Sequence, residues 1–111
     1  MTPDQRLETF RSFIAQRPDD PFPRYSLAAA LRDAGRAEEA AGEFRELARR
    51  APDYLPTYLP FGQVLEGLGQ DAEAVRVYED GIACATRKRD GHARDKLAAA
   101  LEAVRARGAS R

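Results

Sequence analysis

Hydrophobic residues in this chain recur every three to four positions, in six stripes separated by short polar breaks. Leu7, Phe10, Phe13 and Ile14 form the first stripe, and Leu27, Ala28, Leu31 and Ala34 the second. Ala40, Phe44, Leu47 and Ala48 follow, then Phe61, Gly62, Leu65 and Leu68, then Ala74, Val75, Tyr78, Ile82 and Ala85, and last Leu97, Leu101 and Val104. This spacing sets each group on one face of a helix. The breaks carry helix punctuation. Thr2-Pro3-Asp4-Gln5 reads as a capping box with proline in the first turn, and Asp20-Pro21 as a second cap-and-proline start. Pro18 and Pro52 end helical runs because the residue before a proline resists helical geometry. Gly35 and Gly69 read as C-caps able to adopt positive φ. Together these signals predict an all-α chain with six helices near 3–17, 21–35, 37–51, 54–68, 71–88 and 91–107, and a frayed end over 108–111.

The stripes are related to one another. A shift of 34 residues carries Leu27, Ala28, Leu31, Gly35, Glu39, Ala40 and Phe44 onto Phe61, Gly62, Leu65, Gly69, Glu73, Ala74 and Tyr78. The same shift carries Phe10, Pro18 and Asp19 onto Phe44, Pro52 and Asp53. A fixed period of this size marks stacked units, each burying its apolar face against its neighbours. Helices joined by turns as short as those at Gly35 and Gly69 make hairpins. The register slips after the second unit: Thr86 stands where proline stood twice, and Leu97, Ala98 and Leu101 match Phe61, Gly62 and Leu65 only with two extra residues. Pro60 conflicts with a helix beginning near Tyr54, since an interior proline costs about 3 kcal/mol. With Thr57 as the cap, Pro60 would fall in the first turn at little cost; Tyr54 and Leu55 align with helix-opening residues of the first unit, which favours a start before Pro60 with a bend there.

Composition narrows the chemistry. The single cysteine, Cys84, allows no intrachain disulfide, and with His92 as the single histidine a structural zinc site of sulfur and imidazole ligands is excluded. Cys84 falls in an apolar helical pattern and is expected to be a small buried thiol. No cofactor and no metal are expected. No glycine-rich phosphate loop or nucleophile–base pair at credible spacing is present, so an enzyme is not expected. Asp4, Arg6 and Glu8 interrupt the opening segment where a secretory leader would need an apolar core, and no apolar run is long enough to span a bilayer, so the cytosol is the default expectation. The net charge of zero conceals an asymmetry: residues 1–86 carry 10 basic and 15 acidic side chains, residues 87–111 carry 8 and 3. Sixteen of the 18 basic residues are arginine, which with the abundant alanine fits a GC-rich bacterial genome.

A 34-residue hairpin with these landmarks resembles the tetratricopeptide repeat (TPR) family, the superhelical protein-interaction scaffold. The family's large-then-small pair in the first helix is met by Leu27-Ala28 and Phe61-Gly62, its bulky residue one turn on by Leu31 and Leu65, and its turn glycine by Gly35 and Gly69. Ala40, Phe44 and Pro52 supply the small residue, the aromatic and the proline of the second helix, and Ala74 and Tyr78 repeat the first two. Arg24 replaces the common tryptophan, Arg6 the small alanine of the front half-repeat, and Gly81 the usual alanine. The resemblance implies a right-handed α-α superhelix over 1–107: a front half-repeat helix at 3–17, repeats at 21–53 and 54–88, and a closing helix at 91–107.

It also implies a non-catalytic scaffold whose first helices line a concave groove for a peptide or partner helix. The groove residues expected are Phe22, Tyr25 and Arg32 from the first repeat and Leu59, Gln63 and Glu66 from the second, the closing helix adding His92, Asp95 and Glu102. Tyr25, Ala29 and Pro60 occupy places where family members that clamp a C-terminal carboxylate carry lysine and asparagine, so that clamp is not expected. The alternative is a homo-oligomeric assembly module, a homodimer among its forms, that covers exposed repeat ends through Leu97, Leu101 and Val104. Nucleic-acid binding through Arg87, Lys88, Arg89, Arg94, Lys96, Arg105 and Arg107 ranks last, because the rest of the chain is acidic and no aromatic residues interleave the cations.

Overall fold

The computed structural model describes residues 1–109; the expected frayed end at Ser110 and Arg111 lies outside the described residues. The described residues form six α-helices: α1 Pro3–Gln16, α2 Pro21–Asp33, α3 Ala37–Arg50, α4 Tyr58–Gly67, α5 Asp71–Arg87 and α6 Gly91–Ala109. No strand occurs among the described residues. Two compact units divide the chain, Met1–Tyr54 and Leu55–Arg111.

In the first unit, α1 opens with the capping box read from sequence: the Gln5 amide donates to Thr2 Oγ1 (3.1 Å) and the Thr2 amide to Gln5 Oε1 (2.8 Å). Asp20 caps α2 by accepting from the Phe22 amide at 3.1 Å. The hairpin of α2 and α3 buries Leu27, Ala28, Leu31, Ala40, Ala41, Phe44 and Leu47. Arg24, at the common tryptophan place, reaches across it to Glu43 (Nη1 to Oε2, 3.0 Å). The stripe on α1 is less complete than its spacing suggests. Leu7 is buried, Phe10 and Ile14 are half-buried, and Phe13 is 47% exposed.

In the second unit the expected continuous helix over 54–68 is two elements. Leu55–Thr57 forms a short 3-10 segment and α4 begins at Tyr58. Pro60 therefore stands third in α4, where a missing N–H leaves no helical bond unmade, and the bend expected inside the helix is replaced by a change of helix type before it. Thr57 precedes α4 but makes no side-chain cap bond; its hydroxyl is buried without a partner. The helices α4 and α5 bury Tyr58, Phe61, Val64, Leu65, Ala74, Val77, Tyr78, Cys84 and Ala85, while Val75 and Ile82 are half-buried. Two glycines are enforced by packing. A Cβ on Gly62 would lie 2.1 Å from Tyr78 Cε1 and 2.4 Å from its Cζ, and one on Gly81 would lie 2.6 Å from Tyr58 Cβ and 3.1 Å from both Leu97 Cδ atoms. That crowding explains glycine at Gly81, where alanine is usual. The last helix buries Leu97, Leu101 and Val104 and continues past Arg107 through Gly108 and Ala109, where a frayed end was expected.

The 34-residue period is present in the backbone itself. At the end of α2 the Arg36 amide donates to Leu31 O (2.9 Å) and the Gly35 amide to Arg32 O (3.0 Å); at the end of α4, Gln70 donates to Leu65 O (2.9 Å) and Gly69 to Glu66 O (3.0 Å). These paired bonds are a Schellman motif, closed by glycines at φ 78° and 74°. The chain leaves α1 at Arg17 with φ −137°, ψ 70° and α3 at Ala51 with φ −134°, ψ 69°. The period fails where the sequence slips. The helix α5 is 17 residues long against 14 for α3, and Arg89, at φ 58°, closes a third Schellman motif.

Candidate binding faces

Six of the residues expected to line a groove divide between α2 and α4. Phe22 is second in α2, behind Pro21 and the Asp20 cap that fix the start of the helix, and its side chain is 62% exposed. Tyr25, one turn on, is half-buried and packs edge-on against Phe44 (centroids 6.2 Å, 70°) and Tyr54 (6.0 Å, 68°). It therefore has a structural share that its place on a groove face does not suggest. Burial, with Tyr25 and the Asp20 charge nearby, pushes the Tyr54 phenol above its ordinary value. Arg32 is exposed near the end of α2 and pairs with its neighbour Asp33 (Nε to Oδ1, 3.0 Å).

On α4, Leu59 is half-buried and Gln63 exposed. Glu66 is committed inside its own unit. Tyr78 donates its hydroxyl to Glu66 Oε2, and Arg107 Nη1 lies 2.8 Å from Glu66 Oε1 while its Nη2 lies 3.5 Å from Asp71 Oδ1. This chain of polar contacts ties α4, α5 and α6 together. Burial, then the Glu66 hydrogen bond and charge, hold the Tyr78 phenol well above its ordinary range. No sequence spacing signals the link, because Glu66 and Arg107 stand 41 positions apart and only the return of α6 brings them together.

Other chemistry is sparse. Cys84 is buried, as its pattern implied, and His92 is exposed at the start of α6. A cleft of about 210 Å³ at the α1–α2 junction is lined by Asp19, Asp20, Arg24 and Arg50 among others, of which Asp20 is the α2 cap and Arg24 is paired. Among the described residues no group of three or more His, Cys, Asp or Glu side chains is placed to hold a metal ion, and no helix is long and apolar enough to cross a membrane.

The tetratricopeptide repeat domain protein of Salinibacter ruber is 32% identical to this chain, with a TM-score of 0.74 over 78% of this chain and 88% of its own. PcrH, in complex with the chaperone binding region of PopD, superposes with a TM-score of 0.86 over 96% of this chain and 80% of its own, at 20% identity. The TPR2B domain of yeast Sti1, in complex with pHsp70, gives 0.83 over 91% of this chain and 81% of its own, at 14% identity. The latter two likenesses are of fold alone. No family model and no curated protein matches the chain. The chain belongs to the tetratricopeptide repeat family.

Proposed function

We propose that this protein is a non-catalytic interaction scaffold, working in the cytosol as one repeat domain over residues 1–107 and binding a peptide or partner helix on the first-helix faces of its repeats. One observation carries the reading. Phe22 stands 62% exposed on α2, on the face where family members hold their ligands, although a buried place would remove a large apolar ring from water. Leu59 on α4 offers a second apolar surface, and Arg32 and Gln63 offer polar groups to a peptide backbone. The complexes of PcrH and Sti1 support the same class of task. Glu66 is left out of the contact set, since Tyr78 and Arg107 occupy it.

Selection from a random peptide library, followed by titration of the selected peptides, tests this reading. Phe22→Ala should weaken binding by about 2 kcal/mol, roughly thirtyfold, as anchor aromatics do, with melting temperature unchanged. Arg94→Glu should leave the affinity within about twofold, as expected of a charge outside the contact. Equal affinity of native chain and Phe22→Ala, or loss confined to Arg94→Glu with steep salt dependence, would reject it.

A further inference from the structure

We propose that this protein associates head to tail with further copies of itself, α6 of one copy seating against α1 of the next. The order of helices sets this up. By repeat place α1 is a second helix without its first, and α6 is a first helix without its second. The residues at both ends bear this out. The aromatic place of the second helix holds Phe44 and Tyr78, both fully buried, while Phe10 on α1 is only half-buried. One turn further, Leu47 is 1% exposed, but Phe13, at the same place on α1, is 47% exposed.

On α6, Leu97 and Leu101 are buried like Phe61 and Leu65, yet Ala98 is exposed where Ala28 and Gly62 are buried. Each end thus presents one half of a contact that the repeat interior completes: an aromatic on α1 and a small residue on α6. The second unit shows how the two halves fit, for the Tyr78 ring lies against Gly62. Phenylalanine with alanine is the pair the first unit carries at these places, as Phe44 and Ala28.

Charge favours this partner over a second α1. Antiparallel seating with Phe10 over Ala98 brings Glu102, at the place of Glu66, towards Arg6, one turn before Phe10; both are exposed. Pairing α1 with α1 would instead set a second aromatic, not a small residue, against Phe10, would give Arg6 no partner from Glu102, and would leave Ala98 uncovered. Arg6 fills a place that is alanine in both repeats, with its guanidinium 6.0 Å from the Phe10 centroid. It holds the joint wider than an internal hairpin, so the association is weak and concentration-dependent. Such a joint is heterologous, joining one end of a copy to the other end of its neighbour.

Sedimentation velocity tests it with one variant per end, Phe13→Asp and Ala98→Arg, both at exposed positions. The native chain should gain mass with concentration without levelling at a dimer. Each variant alone should be monomeric, with a loss of association of about tenfold or more. Mixed in equal amounts, the two should form a dimer that grows no further, because one intact tail meets one intact head. Circular dichroism checks the fold, and Phe13→Ser and Ala98→Lys replace any variant that loses helicity. A native chain monomeric at every concentration overturns the proposal. So does a dimer that survives Ala98→Arg, which would mean α1 on α1, and so does a variant mixture that stays monomeric.

Discussion

Glycine at single positions decides how closely these helices approach, and the sequence alone does not tell its roles apart. Gly42 is exposed on the outer face of α3, with nothing within 4 Å of where a Cβ would stand. Gly42→Ala should raise stability by about 0.5–1 kcal/mol, the usual gain in an exposed helix interior. Gly62→Ala and Gly81→Ala make the same chemical change with opposite sign. Each new methyl meets the Tyr78 ring or Tyr58 Cβ, and overpacking of this kind costs about 1–3 kcal/mol. Urea denaturation of the three variants checks the ordering; a stabilising Gly62→Ala would mean that Tyr78 can move aside. The small place at Gly62 was legible from the repeat, because Ala28 stands 34 residues earlier. The need for glycine at Gly81 was not, since it arises from Tyr58 and Leu97, distant in sequence.

Helix ends are the best-read elements of the chain, because caps are local chemistry. The Thr2 box, the Asp20 cap and the turns at Gly35 and Gly69 all follow from residues within a few positions of each end. The start of α4 and the end of α6 escaped the reading, and so did the device that closes α5, though not its position. The start of α4 depends on which turn Pro60 joins, and alignment with the first repeat favoured an early start that the 3-10 segment replaces. The end of α5 is closed by Arg89 in the left-handed region, which no propensity marks. A non-glycine residue there costs about 1–2 kcal/mol, part of which glycine returns through a more flexible unfolded chain. Arg89→Gly should therefore stabilise the protein by about 0.5–1 kcal/mol, seen as a few degrees in melting temperature. No gain, or a loss, would show that the turn is held by interactions of the Arg89 side chain.

For the whole molecule, the period made the scaffold legible while the ligand stayed out of reach, since places such as Leu27 and Phe44 specify packing and say nothing of what Phe22 or Gln63 would touch. Polar pairs set how the protein responds to pH: the local ones follow from i, i+3 and i, i+4 spacing, whereas the Tyr78–Glu66–Arg107 link was as hidden as the ligand. Glu46, bonded to Arg49 (2.5 Å) and Arg50 (2.7 Å), titrates at about 2, and Glu39, bonded to Arg36, is lowered in the same way. Unfolded glutamates titrate near about 4.3, so the stability these pairs add is present above that pH and is lost as pH falls towards 2. Glu39 is exposed and Glu46 half-buried at the surface, and this acid limb should be shallow and weaken in salt.

The alkaline limb has the opposite sign. Tyr78 and Tyr54 keep their protons above the unfolded phenol value of about 10, because ionised Tyr78 would be a buried anion beside the Glu66 carboxylate. The folded state then binds more protons than the unfolded one, and stability falls as pH rises beyond about 10. A thermal-denaturation series should show a broad plateau between about pH 5 and pH 10, with a steeper alkaline fall. Tyr78→Phe lowers the plateau by removing the bond to Glu66 but should flatten the alkaline slope, leaving the smaller part owed to Tyr54. An alkaline slope unchanged in Tyr78→Phe would show that the phenol ionises freely in the native protein, and that the tie between α5 and α4 through Glu66 is not what holds its proton.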